Sequence, residues 1–245
     1  MTLPGEARAA SEAPLVAAAS DLQFALAEVA EAFWAETGQR VRVATGSTGN
    51  FTRQIRAGAG FEVFLAADEQ FVFDLYRDGF TRDEGSLYAI GRLVMLVPRG
   101  GTLAADGSLD ALADALAQGR LRRFAIANPD HAPYGMRALE ALRHRGLWDA
   151  LQPMLIMGEN VSQAAQFALS GSAQGGIVAY SLALAPPVAE RGEFALIPES
   201  WHAPLRQRMV LLQNAGPVAE SFYEFMETEA ARSIMIRYGF SVPAG

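Results

Sequence analysis

The chain has 245 residues, a net charge of −7 and no cysteine. The negative charge argues against nucleic acid or an anionic membrane surface as a partner. The lack of cysteine excludes disulfides, thiolate metal sites and a cysteine nucleophile. All 20 basic residues are Arg, so Schiff-base chemistry and a phosphate-loop lysine are excluded as well. No run reaches the roughly 20 continuous apolar residues that a membrane span needs.

The N-terminal residues 1–13 are rich in Ala, Glu and Pro and lack the apolar stretch of a signal peptide. We expect this segment to be a disordered tail. Its character is compatible with a chain from which a signal peptide has already been removed.

Short apolar runs alternate with amphipathic helical patterns along the rest of the chain, which predicts strands that alternate with helices. In chain order, the predicted strands are Leu15–Ala19, Val41–Ala44, Glu62–Ala66, a pair within Tyr88–Pro98, Phe124–Ala127, Met154–Met157, Gly176–Tyr180, Phe194–Ile197 and Met209–Leu212. Ser20, Ser108 and Asn160 are placed as helix caps and Pro217 as a first-turn proline. Two C-terminal helices follow Pro217, with Ile234 and Ile236 among their predicted core residues.

This alternation predicts an α/β protein with mostly parallel sheets and right-handed crossovers. Two crossings, near residues 92 and 207, divide the chain into two lobes with a cleft between them. The first lobe is expected to comprise residues 14–91 plus 208–245 and the second residues 92–207. Each lobe is a sheet flanked by helices.

Four predicted strand ends share one feature: each runs directly into a helix start and carries small, hydroxyl, Gly or Pro residues. They are Ala19-Ser20-Asp21, Gly46-Ser47-Thr48-Gly49, His131-Ala132-Pro133-Tyr134-Gly135 and Gly158-Glu159-Asn160-Val161. Ligands of open α/β sheets bind beyond such ends. Helix N-termini offer free N–H groups and partial positive charge to an anion. No Arg lies in these segments, so an anion site here would consist of neutral donors. Taken singly, a serine at a helix start is more often only a cap.

Six segments of the chain, by their order and spacing, resemble the molybdate-binding proteins of ABC transporters. The resemblance extends over about residues 14–241. The segments that carry the resemblance are Ala17-Ala18-Ala19-Ser20, Gly46-Ser47-Thr48-Gly49, Phe64-Leu65-Ala66-Ala67-Asp68, Asn128–Gly135, Gly176–Tyr180 and Arg237-Tyr238-Gly239-Phe240. The resemblance implies the architecture of type II periplasmic binding proteins. It also implies a periplasmic, monomeric receptor that needs no cofactor, binds molybdate or tungstate and delivers it to an ABC permease.

The resemblance also implies which residues bind the oxyanion. Ser20 would donate through its hydroxyl and its backbone N–H and Thr48 through its hydroxyl, with Ser47 adjacent. Tyr134 and Val161 would donate backbone N–H groups. No residue is expected to be catalytic or to coordinate a metal directly; the metal would be bound only as its oxyanion.

Four other residues near these segments need an interpretation. Some family members carry a Tyr directly after Gly-Ile-Val, where this chain has Ala179. Tyr180 comes one place later, which would turn it to the other face of a strand; the hydroxyl of Tyr134 is then a candidate replacement. We expect Asp21 to face outward as a first-turn acid. His131 and Arg137 are expected to be a surface or capping histidine and a solvated helix arginine.

Two other classes of function stay open at this point. One is an enzyme on a similar two-lobed scaffold, although no nucleophile or acid–base pair stands out. The other is the ligand-sensing module of a regulator, although no basic DNA-binding segment is visible. The sequence does not separate molybdate from tungstate.

Overall fold

The structure, a computed structural model, describes residues 13–243. Within them the chain forms two five-stranded mixed sheets flanked by helices. This confirms the predicted α/β class with two lobes. The predicted tail, Ala13 apart, lies outside the described residues.

The two sheets have the same layout. The first sheet has the order β2-β1-β3-β10-β4 and the second the order β7-β6-β8-β5-β9. In each, four strands run in one direction and a single strand, β10 or β5, runs against its two neighbours. The strands are β1 Leu15–Ala19, β2 Arg42–Gly46, β3 Val63–Ala66, β4 Ser86–Gly91, β5 Leu93–Pro98, β6 Phe124–Ala127, β7 Leu155–Gly158, β8 Gly176–Ala179, β9 Gly192–Leu196 and β10 Leu205–Leu211.

The chain passes from one sheet to the other twice, at Arg92 between β4 and β5 and again between β9 and β10. Strand β10 starts at Leu205, which pairs with Gly91 of the first sheet. The division into lobes at residues 91/92 and 207/208 stays a prediction.

Helices follow most strands. A 3₁₀ turn, Ser20–Leu22, leads into the first α-helix. The α-helices are α1 Gln23–Thr37, α2 Thr48–Arg56, α3 Glu69–Arg77, α4 Asp110–Ala117, α5 Pro133–His144, α6 Trp148–Leu151, α7 Val161–Leu169, α8 Tyr180–Leu184, α9 Pro186–Ala189, α10 Pro217–Phe225 and α11 Glu229–Arg237.

Local signals account for most helix ends. Gly38 closes α1 in the left-handed conformation, with φ of 70°. The side chain of Asn160 caps α7 by accepting from Gln163 N at 3.0 Å. Three details of the prediction are wrong. Ser20 is the first residue of the 3₁₀ turn, and its side chain makes no capping bond. Helix α4 starts only after Leu109, and the Asp106 carboxylate, not Ser108, accepts the hydrogen bond from Ala111 N. Ile236 is 58% exposed, because the buried face of α11 is formed by its neighbours.

The apolar residues pack on both faces of each sheet. Along β1, Val16 and Ala18 contact the core beneath α1 and the C-terminal helices, and Ala17 contacts the opposite core beneath α2 and α3. Strands buried on both faces carry continuous apolar runs, which is why β1 reads Leu-Val-Ala-Ala-Ala. This packing fixes the carboxyl ends of the strands at the boundary between the sheets.

Candidate functional site

A small cavity lies between the two sheets, where strands of both sheets end and helices begin. Its empty volume is about 190 Å³, the open mouth included, which is below the roughly 300–1,000 Å³ of pockets for drug-sized ligands. All five residues predicted from the sequence line it, together with Asp21. Each predicted residue is at most 4% exposed. They are Ser20, Ser47, Thr48, Tyr134 and Val161. The structure therefore brings together segments that are up to 141 positions apart, Ser20 and Val161 being the extremes.

The first sheet contributes hydroxyl groups. Ser20 Oγ accepts a hydrogen bond from Ser162 N at 3.2 Å, and Thr48 Oγ1 accepts one from Ala67 N at 3.1 Å. A hydroxyl has one proton to donate besides its acceptor lone pairs. Since both hydroxyls already accept from a backbone N–H, their protons are available for a guest in the cavity. A role as a helix cap does not account for Ser20 or Ser47, because neither side chain makes a capping bond to its own helix.

Ser47 has a different role from Ser20 and Thr48. Its Oγ donates to the carbonyl of His131 at 2.8 Å and lies 2.7 Å from the Nδ1 of the same residue. The single proton of Ser47 is therefore committed to His131. Gly49 N donates to the same carbonyl at 2.9 Å. We call Ser47, Gly49 and His131 the cleft clamp, since they join the loop after β2 to the loop after β6.

The clamp requires close approach of two backbones. A Cβ atom on Gly49 would lie 2.6 Å from the His131 carbonyl oxygen, so only glycine allows this contact without movement. His131 is 8% exposed, and the expectation of a surface or capping histidine is wrong. The reason is that its partners lie in a segment 84 positions away.

The second sheet contributes helix N-termini. Tyr134 and Val161 lie in the first turns of α5 and α7, behind Pro133 and the cap Asn160. First-turn N–H groups have no acceptor within their own helix, and the helix dipole places partial positive charge there. The side chain of Val161 can contribute only apolar contact, so the polar contribution of this half comes from the backbone.

No arginine or histidine is among the described residues that line the cavity. Arg137 is 8% exposed and pairs with Asp68 at 2.9 Å and with Glu140. The expectation of a solvated arginine is therefore wrong. Arg137 connects α5 to Asp68, the cap of α3 on the first sheet, and two carboxylates compensate its charge.

Asp21 is the main departure from the prediction. It is 1% exposed, not outward-facing, because the 3₁₀ turn that precedes α1 is buried throughout. Its Oδ2 accepts from Gln207 Nε2 at 2.6 Å and from the Tyr134 hydroxyl at 3.0 Å. Its Oδ1 is buried and has no partner among the described residues. Burial raises the pKa of this carboxyl to about 6, although the hydrogen bonds from Gln207 and Tyr134 oppose the shift.

Gln207 and Tyr88 extend this network, and the sequence analysis missed both. Gln207 is completely buried, and its Oε1 accepts from the Tyr88 hydroxyl at 2.7 Å. The sequence offered little local signal for Gln207, because it lies between Arg206 and Arg208 on β10. Its burial shows only in the fold, where buried polar groups need partners.

The two tyrosines considered as hydroxyl donors are both engaged elsewhere. The proton of the Tyr134 hydroxyl goes to Asp21, so it does not replace a missing ligand hydroxyl. Strand β8 ends at Ala179, and Tyr180 opens α8 with its ring edge-on to Phe194, the ring centroids 5.6 Å apart. Tyr180 is not among the residues that line the cavity.

The family model described as "Bacterial extracellular solute-binding protein" matches residues 14–241. The chain belongs to this family. The match includes both sheets and every residue of the cavity.

Named relatives are similar over nearly the whole chain. The molybdate-binding protein ModA of Rhodobacter capsulatus is 32% identical over 235 residues, which cover 95% of this chain and 89% of that protein. ModA of Escherichia coli (strain K12) is 29% identical over 232 residues, covering 93% and 88%.

Solved structures agree with the fold. The Azotobacter vinelandii periplasmic molybdate-binding protein superimposes with a TM-score of 0.84 at 30% identity and covers 94% of this chain and 100% of its own. The sulfate-binding protein SubI of Mycobacterium tuberculosis H37Rv has a TM-score of 0.74 at 16% identity, covering 94% and 86%. The latter likeness concerns the fold alone.

Residues 13–243 lack two further features. No cluster of three or more His, Asp or Glu side chains that could hold a metal ion occurs in residues 13–243. In the same part of the chain, no helix is long and apolar enough to cross a membrane.

Proposed function

We propose that this chain is a solute receptor that captures molybdate or tungstate in the cavity between its sheets and delivers it to an ABC permease. One observation carries the proposal: hydroxyls from one half and helix N-termini from the other surround a small cavity, and its described lining includes no cationic side chain. Such a site binds the oxygens of the ion, so no residue coordinates the metal. The names of the relatives support the choice of oxyanion.

In this proposal Ser20 and Thr48 donate their hydroxyl protons, and Tyr134 and Val161 donate backbone N–H groups. Ser47 lines the cavity but acts chiefly by holding His131, and so keeps the cleft closed. Hydrogen bonds to a charged group contribute roughly 1.5–3 kcal/mol each. Four such bonds would offset a substantial part of the cost of removing a dianion from water.

Selection among oxyanions would follow from size. Donors fixed at strand ends and helix starts cannot follow a smaller ion inward. Sulfate is smaller than molybdate, so it would leave some donors without partners, and unpaired buried donors weaken binding. Molybdate and tungstate have nearly the same size, so we propose that both bind.

The same proposal covers location and partners. We place the receptor in the periplasm as a monomer that closes by a hinge motion around its ligand and docks on the permease in the closed form. It needs no cofactor and no nucleic acid.

Thermal unfolding with molybdate, tungstate, sulfate and phosphate tests the proposal. A ligand that binds the folded state alone stabilises it by mass action, so the first two ions should raise the melting temperature and the other two should not. The absence of a shift with every oxyanion would refute the assignment and favour an enzyme or a sensor on the same scaffold. Titration calorimetry then gives the affinity and stoichiometry.

A further inference from the structure

Asp21 is the one carboxyl among the described residues that line the cavity, and this poses an electrostatic problem. An ionised carboxylate and a doubly negative guest would share one small site whose lining residues are almost fully buried. Like charges at short range repel strongly where the effective dielectric constant is low. Either the carboxyl carries a proton in the complex, or the site rejects the guest we have proposed.

The groups packed around Asp21 offer no positive charge. Gln207 on β10 and Tyr134 on α5 contact its Oδ2, and Tyr88 on β4 reaches it only through Gln207. From α8, Ser181 Oγ donates to the Asp21 backbone carbonyl at 2.8 Å. No ion pair of Asp21 occurs within residues 13–243. The negative charge of an ionised Asp21 would thus be stabilised by neutral donors alone: the side chains of Gln207 and Tyr134 and the backbone N–H groups of Asp21 and Leu22.

The unpartnered Oδ1 indicates where a proton would be held. Oδ2 already accepts two hydrogen bonds, whereas Oδ1 is buried without a partner. A protonated carboxyl has one O–H donor. A proton on Oδ1 would remove the repulsion and turn an orphaned acceptor into a donor on a residue that lines the cavity.

We propose that Asp21 is a further ligand of this site: it holds a proton on Oδ1 whenever the oxyanion is bound, so that capture takes up one proton from solvent. The proton converts the carboxylate into a carboxylic acid, and no other group changes. This inference rests on the proposed function. The pKa of about 6 that burial gives this carboxyl supports it, because a nearby dianion raises that pKa further and brings protonation within reach at neutral pH.

The consequence is a pH-dependent affinity. Where Asp21 is ionised in the free protein and protonated in the complex, the affinity for molybdate should fall about tenfold for each pH unit. Molybdate itself stays a dianion over the range from pH 7 to 8.5, so its own titration does not produce this slope.

The test is titration calorimetry with molybdate at pH 7.5 in two buffers of different ionisation enthalpy, which gives the number of protons taken up. We expect close to one proton for the wild type and close to zero for Asp21→Asn, whose affinity should not depend on pH. Asp130 is an exposed aspartate in the loop after β6, so Asp130→Asn is the matched control and should retain the proton uptake. His131, whose Nε2 lies 3.8 Å from Glu159 Oε2, is the other group near the site that could bind a proton; uptake that persists in Asp21→Asn would assign the proton to it and overturn the inference.

Other outcomes separate this inference from the proposed function. Molybdate binding by the wild type without proton uptake contradicts the role of Asp21 and leaves the receptor function intact; the wild-type measurement decides this even if Asp21→Asn fails to fold. Binding of hydrogen phosphate but not molybdate at pH 8 would indicate that an ionised Asp21 accepts a hydrogen bond from the P–OH group of its ligand, and would overturn both. No binding of any oxyanion refutes the proposed function itself.

Discussion

The two halves of the cavity offer different kinds of hydrogen-bond donor. The half on the first sheet presents hydroxyl side chains at the ends of β1 and β2, and the half on the second sheet presents the backbone at the starts of α5 and α7. A side-chain donor can be deleted by one substitution, whereas a backbone donor survives almost any replacement of its side chain. Residue identity therefore matters on one side of the cleft, and helix geometry matters on the other.

The largest effect is expected on the hydroxyl side. Replacing both Ser20 and Thr48 with Ala removes two donors to a charged guest. At about 1.5 kcal/mol each, their loss should weaken molybdate binding by about a hundredfold. Calorimetry measures it, and an unchanged affinity would place the site elsewhere.

The double variant needs a matched control for the loss of two hydroxyl groups as such. Ser172→Ala combined with Thr102→Ala removes the same two hydroxyl types from exposed positions of the second lobe. That protein should bind molybdate as the wild type does. Thr48→Ser, which keeps the hydroxyl, should lose little affinity.

Asp21 is an exception to this division, since it lies on the hydroxyl side yet accepts a hydrogen bond from Tyr134 on the other side. Its pKa in the folded state, about 6, lies above the ordinary value of 3.8. A raised pKa favours folding at low pH, so this contribution is fully present below about pH 3.8 and is lost as the pH rises through 6. Two pKa units correspond to roughly 3 kcal/mol as an upper limit.

The side chain in Asp21→Asn carries no charge, so its burial does not destabilise the fold as the pH rises. The free energy of unfolding of Asp21→Asn relative to the wild type should therefore increase between pH 4 and pH 7, by up to about 3 kcal/mol. Urea unfolding without oxyanion at the two pH values measures the change. A difference that is the same at both would mean that Asp21 is not buried as an ionisable group.

The cleft clamp links the two halves, and Gly49→Ala tests it. The new Cβ would meet the His131 carbonyl oxygen at 2.6 Å, so the closed arrangement must open or distort. Overpacking typically costs about 1–3 kcal/mol, which predicts a loss of affinity between about fivefold and a hundredfold. Gly60→Ala, with open space around the added Cβ, is the control and should bind normally. Equal affinity of the two variants would show that the clamp is not needed for capture.

The sequence predicted this division unevenly. Local signals predicted the strand ends, the helix starts and the cavity hydroxyls, because apolar runs, caps and small residues are visible in the sequence itself. The orientation of Asp21 was not, since its partner Gln207 is 186 positions away. Arg137 was misjudged for the same reason, as Asp68 is 69 positions away. Local pattern thus located the candidate site, but the charge compensation around it depends on contacts that only the folded chain brings together.

A single lost hydrogen bond is the effect expected on the backbone side, where an ordinary substitution leaves the N–H donor in place. Val161 occupies the first position of α7 and follows Asn160 in an extended conformation. Proline is tolerated at a first helical position, and an extended residue before it is compatible with its ring. Val161→Pro therefore deletes one N–H group with little disturbance of the helix.

One lost hydrogen bond to a charged guest, about 1.5 kcal/mol, predicts roughly tenfold weaker binding of molybdate by Val161→Pro. Val161→Ala keeps the N–H and removes only the apolar side chain, so its affinity should stay near that of the wild type. Calorimetry on the pair, with melting temperatures as a check on folding, separates the two contributions. If the alanine variant lost as much affinity as the proline variant, the side chain and not the backbone would be the contact, and the contrast between the two halves would be wrong.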